Sequence, residues 1–242
     1  MIPFRDYNPS GTVPFVTIGL IVMNVAVFLV EWSQLRQTRR GAMPTVIAEY
    51  AMQPAEVARA VRGQPVPGQR FPVLLTPLTS MFMHGGLLHL VGNMLYLWIF
   101  GDNVEDRMGH AKYLVFYLLC GLGAAAAHTA VDPSSNVPTV GASGAIAGVL
   151  GAYLLAFPRA QIATLVPLGI FLTVIRLPAV IVLGFWFVLQ FISGMGSLRM
   201  AQTGGVAWWA HIGGFVAGML LLFAFQKRKA IRRPYGYYRT GW

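Results

Sequence analysis

Long apolar runs, separated by short polar breaks and nearly free of charge, take up almost the whole of this 242-residue chain. Only 11% of its residues are charged, against about 25% in a soluble domain. Such a chain is a polytopic membrane protein, and no stretch is left over for a separate soluble domain. The run at 13–30 has no small-residue cleavage site after it, so it is expected to span the bilayer and not to act as a signal peptide. The net charge of +10 does not point to nucleic acid. Much of it sits in Lys227-Arg228-Lys229 and Arg232-Arg233, directly after an apolar run, where basic residues anchor a span on the cytoplasmic side. The single cysteine, Cys120, excludes an intrachain disulfide and a multi-cysteine metal site.

Six spans are expected, at 13–30, 86–100, 113–130, 143–157, 178–192 and 208–225, giving an all-α fold in one domain, 1–242. Its core covers about 76–225. Residues 31–75 form the first outer loop, with a surface helix around 45–61, and 226–242 a basic cytoplasmic tail. The apolar stretch at 162–175 contains Pro167 and Gly169 and is too short for the ~20 residues a crossing needs. It is expected to be interfacial or re-entrant. Basic residues favour the amino terminus inside, because Arg5, Arg107, Lys112, Arg159, Arg176 and the tail then share one side.

Polar residues inside a bilayer are functional candidates by default. The expected spans contain His89 and Asn93 in the second, His128 in the third, Ser143 at the start of the fourth and His211 in the sixth. No Asp or Glu is expected within a span; Glu31 falls at the end of the first. Spans two, four and six run in the same direction, so His89, Asn93, Ser143 and His211 lie towards one face of the membrane. The fourth span, 143–157, makes a helix of about 22 Å, against a hydrocarbon core of about 30 Å. If its far end reaches the inner surface, Ser143 begins it roughly 8 Å below the outer one. The free N–H groups at that end then require water or a polar cavity, and they favour developing negative charge.

A serine hydroxyl needs a base to become a nucleophile, and neutral histidine titrates near the working pH. Ser143 and His211 are therefore the candidate dyad, with no carboxylate expected. His89 and Asn93 are spaced i, i+4 and share a helix face. With the Ser143 N–H they can donate to an oxyanion. Gly141 suits a turn that needs positive φ. Gly144 with Gly148, and Gly214 with Gly218, form small-residue faces that let two helices approach closely.

The segments Gly141-Ala142-Ser143-Gly144, Ala210-His211-Ile212-Gly213-Gly214, His84-Gly85-Gly86-Leu87-Leu88-His89-Leu90-Val91-Gly92-Asn93 and Gly101-Asp102-Asn103-Val104-Glu105-Asp106-Arg107-Met108-Gly109, in this order and spacing, resemble the rhomboid family of intramembrane serine proteases. The resemblance covers about 76–225. It implies a six-transmembrane-helix bundle with a water-accessible site on the outer side, Ser143 as nucleophile, His211 as base, and His89 and Asn93 assisting the oxyanion. His84 would support the site from a loop, and Glu105 and Arg107 would form an ion pair on the inner side. It further implies no cofactor and no metal, with transmembrane protein substrates met in the lipid bilayer. The expected location is a bacterial plasma membrane with both termini cytoplasmic. In some members the fifth helix moves against the second to admit substrate, which makes Phe185, Trp186, Phe187 and Phe191 gate candidates. Many members carry a tyrosine four residues after the serine, stacked on the base. That position is Ala147 here, so either something else orients His211 or it is held more loosely. The first outer loop also lacks the Trp-Arg pair that many members have. Two other functions compete: a member that binds client membrane proteins without cutting them, and a transporter or channel. The first class typically loses the serine or the histidine. The second often shows internal repeats and intramembrane charges, and neither is visible here.

Overall fold

The computed structural model describes residues 1–37, 45–68, 71–168, 171–197 and 206–227. The basic tail beyond Lys227 lies outside the described residues. Helix α1 spans Phe15–Gln37, α2 Thr45–Tyr50 and α3 Pro54–Val61. A short helix α4, Thr76–Thr79, is flanked by 3-10 turns and leads into α5, Leu87–Met108. Then follow α6, His110–Val131, α7, Ser143–Ala156, α8, Ala179–Ser197, and α9, Trp208–Phe225. Each of the six expected spans falls on one helix. Four of them, in α1, α6, α8 and α9, are long and apolar enough to cross a bilayer. Segment Val73–Phe82 with α5 makes a fifth, bent by 79°. Helix α7 is shorter, at 14 residues.

The fold is mostly helical but not all-α. The 162–175 stretch is part of a β-hairpin, β2 (Gln161–Leu168) and β3 (Phe171–Pro178), paired from Gln161↔Pro178 to Leu168↔Phe171. The free edge of β2 takes up β1, Ile2–Asp6, so the sheet order is β1-β2-β3. Thr164, Val166, Thr173, Val174 and Ile175 suit an extended pleated backbone, and Pro167 lies one residue from the strand end, where a missing N–H is tolerated. The expected 45–61 surface helix is broken at Ala51–Gln53. There Met52 accepts the Thr139 N–H at 2.7 Å, and Pro54 opens a new helix.

Two helices run further than their hydropathy suggests. Helix α1 continues past Val30, so Glu31 lies within it and is buried, contrary to the carboxylate-free expectation. Helix α5 continues through the polar residues 101–108 and stops only at Gly109, whose φ of 87° is left-handed and favours glycine. This carries Glu105 beneath the start of α1. Its carboxylate accepts the Val16 and Thr17 N–H groups at 2.9 and 2.8 Å, and the Thr17 hydroxyl at 2.7 Å. A carboxylate there satisfies orphan donors and complements the helix dipole. The implied Glu105–Arg107 ion pair does not form. His110 Nδ1 donates to Glu105 at 2.6 Å, and Arg107 Nη2 donates to Gln226 Oε1 at 3.0 Å.

The amino-terminal strand is tied to the same end of the bundle. Asp6 Oδ2 accepts the Tyr153 hydroxyl at 2.8 Å and Asn103 Nδ2 at 3.1 Å, and Asn8 Nδ2 donates to Asn103 Oδ1. Burial pushes the Asp6 carboxyl up from 3.8 to about 7; the Tyr153 hydroxyl and Arg5 oppose the rise, and Asp102 adds to it. The folded chain thus keeps a proton that the unfolded chain gives up near pH ~4. Stability from this group is fully present below that pH and is lost as pH rises through about 7. Melting temperatures of the detergent-purified protein should fall over this range, and Asp6→Asn should flatten the fall. Parallel curves for parent and variant would return Asp6 to an ordinary carboxyl.

Helix α7 is the central element. Gly144 through Tyr153 is buried without interruption, with α5, α6, α8 and α9 packed around it. Its contact with α9 is backbone on backbone. A Cβ at Gly214 would overlap the Gly144 carbonyl oxygen, and one at Gly218 the Gly148 carbonyl oxygen. On the α6 side, a Cβ at Gly144 would sit 2.6 Å from the Ala124 Cβ.

Candidate active site

The close α7–α9 contact governs what happens one residue before Gly144. Ser143 is the first residue of α7, and His211 lies in the first turn of α9, three residues before Gly214. With the two backbones touching at Gly144 and Gly214, Ser143 Oγ and His211 Nε2 come within 2.8 Å in a hydrogen bond. His211 is buried at 9% exposure. Its other ring nitrogen, Nδ1, lies 2.7 Å from Gln190 Oε1 on α8. Among the described residues, no carboxylate meets either nitrogen. Ala147 is fully buried and offers no ring; the aromatic faces nearest the imidazole belong to Trp186, 5.9 Å away and tilted, and Trp208, 6.3 Å away and edge-on.

His89 and Asn93 of α5 line the same cavity as Ser143 and His211, which measures about 890 Å³. Asn93 is buried, and its Nδ2 donor has no partner among the described residues. A second cavity of about 220 Å³ is lined by Gly92 and Tyr96 of α5, Ile146 of α7 and Trp186 of α8, and it too reaches Ser143 and His211. Gly141 shapes the turn before α7. Its φ is 135°, and its N–H donates to the Ser80 carbonyl at 2.9 Å. A Cβ there would stand 2.8 Å from His89 Cε1 and 2.9 Å from its Nε2, so conformation and space both demand glycine.

His84 stands behind His89, with the two rings edge to face at 5.2 Å. It is buried, its backbone N–H donates to Glu31 Oε2 at 3.1 Å, and neither of its ring nitrogens has a partner among the described residues. The buried Glu31 thus holds the loop that precedes α5. His128 is buried and also lines the larger cavity, with Nδ1 unpartnered among the described residues.

Sequence reasoning missed Gln190. It lies within the expected fifth span and is the one amide in an otherwise apolar run, but it carries no charge and belongs to none of the motifs. Its signal was its isolation: a lone strongly polar group in a membrane helix needs a partner.

The arrangement can do acyl-transfer chemistry: a hydroxyl on a base, a cavity beside it, and a free amide donor on the cavity wall. Comparison with known proteins agrees with the resemblance. The family model described as the rhomboid domain matches residues 73–228. The chain is 34% identical over 153 residues to "Rhomboid protease GluP" of Bacillus subtilis, covering 63% of this chain and 26% of that protein. It is 32% identical over 160 residues to "RHOMBOID-like protein 4" of Arabidopsis thaliana, covering 66% and 35%. It is 24% identical over 249 residues to "RHOMBOID-like protein 1" of the same plant, covering 97% and 58%. The chain thus spans between about a quarter and three fifths of the length of these relatives.

Proposed function

Since this chain belongs to the rhomboid family and is an integral membrane protein, we propose that it is a serine endopeptidase that cuts transmembrane proteins in or near their spans. All six helices from α1 and α5 to α9 cross the bilayer as one domain, with both termini on the cytoplasmic side. The observation that carries the reading is the 2.8 Å hydrogen bond between Ser143 Oγ and His211 Nε2. It also weighs against a purely client-binding role, which needs no serine on a base.

Ser143 Oγ attacks the scissile carbonyl while His211 Nε2 takes its proton. The oxyanion accepts hydrogen bonds from the Ser143 N–H, Asn93 Nδ2 and His89. That Asn93 Nδ2 has no partner among the described residues and lines the same cavity as Ser143 supports this assignment, since a buried donor is costly to leave unpaired. Collapse of the intermediate expels the amine, which takes the proton from His211. Water, activated by the same imidazole, then releases the acyl group from Ser143.

A fluorophosphonate probe tests the reading in detergent micelles. Mass spectrometry should find the adduct on Ser143, and His211→Ala should lose it. An adduct on another serine, or equal labelling of the histidine variant, would overturn the assignment.

A further inference from the structure

A neutral imidazole carries one proton on one of two nitrogens. To accept from Ser143, His211 must present a bare Nε2, so the proton has to sit on Nδ1. In a Ser-His-Asp triad a carboxylate enforces that choice. Here the atom facing Nδ1 is Gln190 Oε1, at 2.7 Å. A carbonyl oxygen can only accept, so it selects the Nδ1–H tautomer. Both side chains are buried, at 8% and 9% exposure, so water does not readily replace this partner.

The rest of α8 holds that amide in place. Leu183, Phe187, Gln190 and Gly194 recur at spacings of four, three and four, which is one helix face. Phe187 packs on Phe215 of α9 with ring centroids 4.6 Å apart. Gly194 lets α8 approach α9, since a Cβ there would already be 3.3 Å from Ile212 Cδ1 and 3.4 Å from Trp208 Cβ. Gln190 lies between these two contacts, directly over His211. Residue 147 is a buried alanine, so α7 offers no ring at that position to orient the imidazole.

We propose that Gln190 is the positioning residue of the reaction: its carbonyl oxygen fixes the tautomer and the plane of His211, and it does so from a helix that carries neither member of the dyad. The proposal rests on the reading of Ser143 as nucleophile and His211 as base. Turnover therefore requires α8 to be seated on α9, as well as α7.

The test uses the purified full chain in detergent, a single-span model substrate and three variants. Gln190→Met keeps the bulk and removes the acceptor. It should lower kcat by roughly 10- to 100-fold, the range for a residue that orients another, with KM unchanged. Gln190→Glu keeps an acceptor and adds charge. It should keep turnover and move the acid limb of the pH–rate profile upward, because a carboxylate stabilises the imidazolium. The imidazole ¹⁵N shifts of His211 should report Nδ1–H in the parent and in Gln190→Glu, and a tautomer mixture in Gln190→Met. Packing alone would not move that readout. Parent-like kcat and tautomer in Gln190→Met, with Ser143→Ala inactive, would overturn the proposal and leave the dyad standing. Normal cleavage by Ser143→Ala would overturn the dyad itself. Should the glutamine variants not fold, the parent spectrum decides: a proton on Nε2 overturns the proposal, and one on Nδ1 sustains it.

Discussion

Ser143→Ala and His211→Ala should each slow cleavage of a single-span substrate by about 10⁴- to 10⁶-fold, and the double variant should be no slower than the worse single one. In the proposed mechanism the two groups act as one unit. A hydroxyl without its base is a poor nucleophile, and a base without its hydroxyl has only water to activate. Once either is gone, the other has nothing left to contribute, so the losses do not add. The two variants should differ in stability. Ser143 gives up one hydrogen bond, to His211. His211→Ala also strands the buried Gln190 carbonyl, at about 1–3 kcal/mol for an unsatisfied polar group. Melting temperatures measured beside the initial rates separate lost chemistry from lost fold. A Ser143→Ala protein that cleaves within tenfold of the parent would remove the serine mechanism.

What the sequence discloses follows from how membranes treat polar atoms. The helix pattern is legible because lipid leaves the backbone few choices, and each of the six apolar runs does fold as a helix. The meeting of residues 143 and 211 is legible because two polar side chains stand at the same end of two parallel runs, each beside a small-residue face. The hairpin at Gln161–Pro178 was hidden because hydropathy measures apolar length, and an apolar strand pair scores as a short helix does. Its pairing with residues 2–6 is a contact across the whole chain, which no local pattern carries. Glu31 and Glu105 looked like loop residues because hydropathy ends a span where the charge begins. Helix α1 runs on through Glu31, and α5 runs on to Met108, where the left-handed Gly109 caps it. Gln190 escaped for a different reason: an uncharged amide matters only once its partner is known, and the partner lies on α9.

Gly214→Val should be the most damaging single substitution away from Ser143 and His211. The atom facing Gly214 is the Gly144 carbonyl oxygen, and even a Cβ would overlap it. Backbone cannot swing aside as a side chain can. The Ala124 Cβ, 3.3 Å from the same point, closes the other escape. The only relief is to push α9 away from α7. Overpacking a tight interior costs about 1–3 kcal/mol, and at a backbone contact the upper end applies. The functional loss should exceed the loss of stability. Ser143 and His211 flank this contact, so helix separation acts directly on their 2.8 Å hydrogen bond, and a displacement of about 1 Å at reacting atoms costs about 10²-fold in rate. Gly214→Ala should show the same trend more weakly. Gly19→Ala is the control, because no atom of the described residues lies within 4 Å of the added carbon, and it should melt with the parent. If Gly214→Val melts and cleaves like the parent, the helices do not meet backbone to backbone, and the explanation for how the serine reaches the histidine falls with that contact.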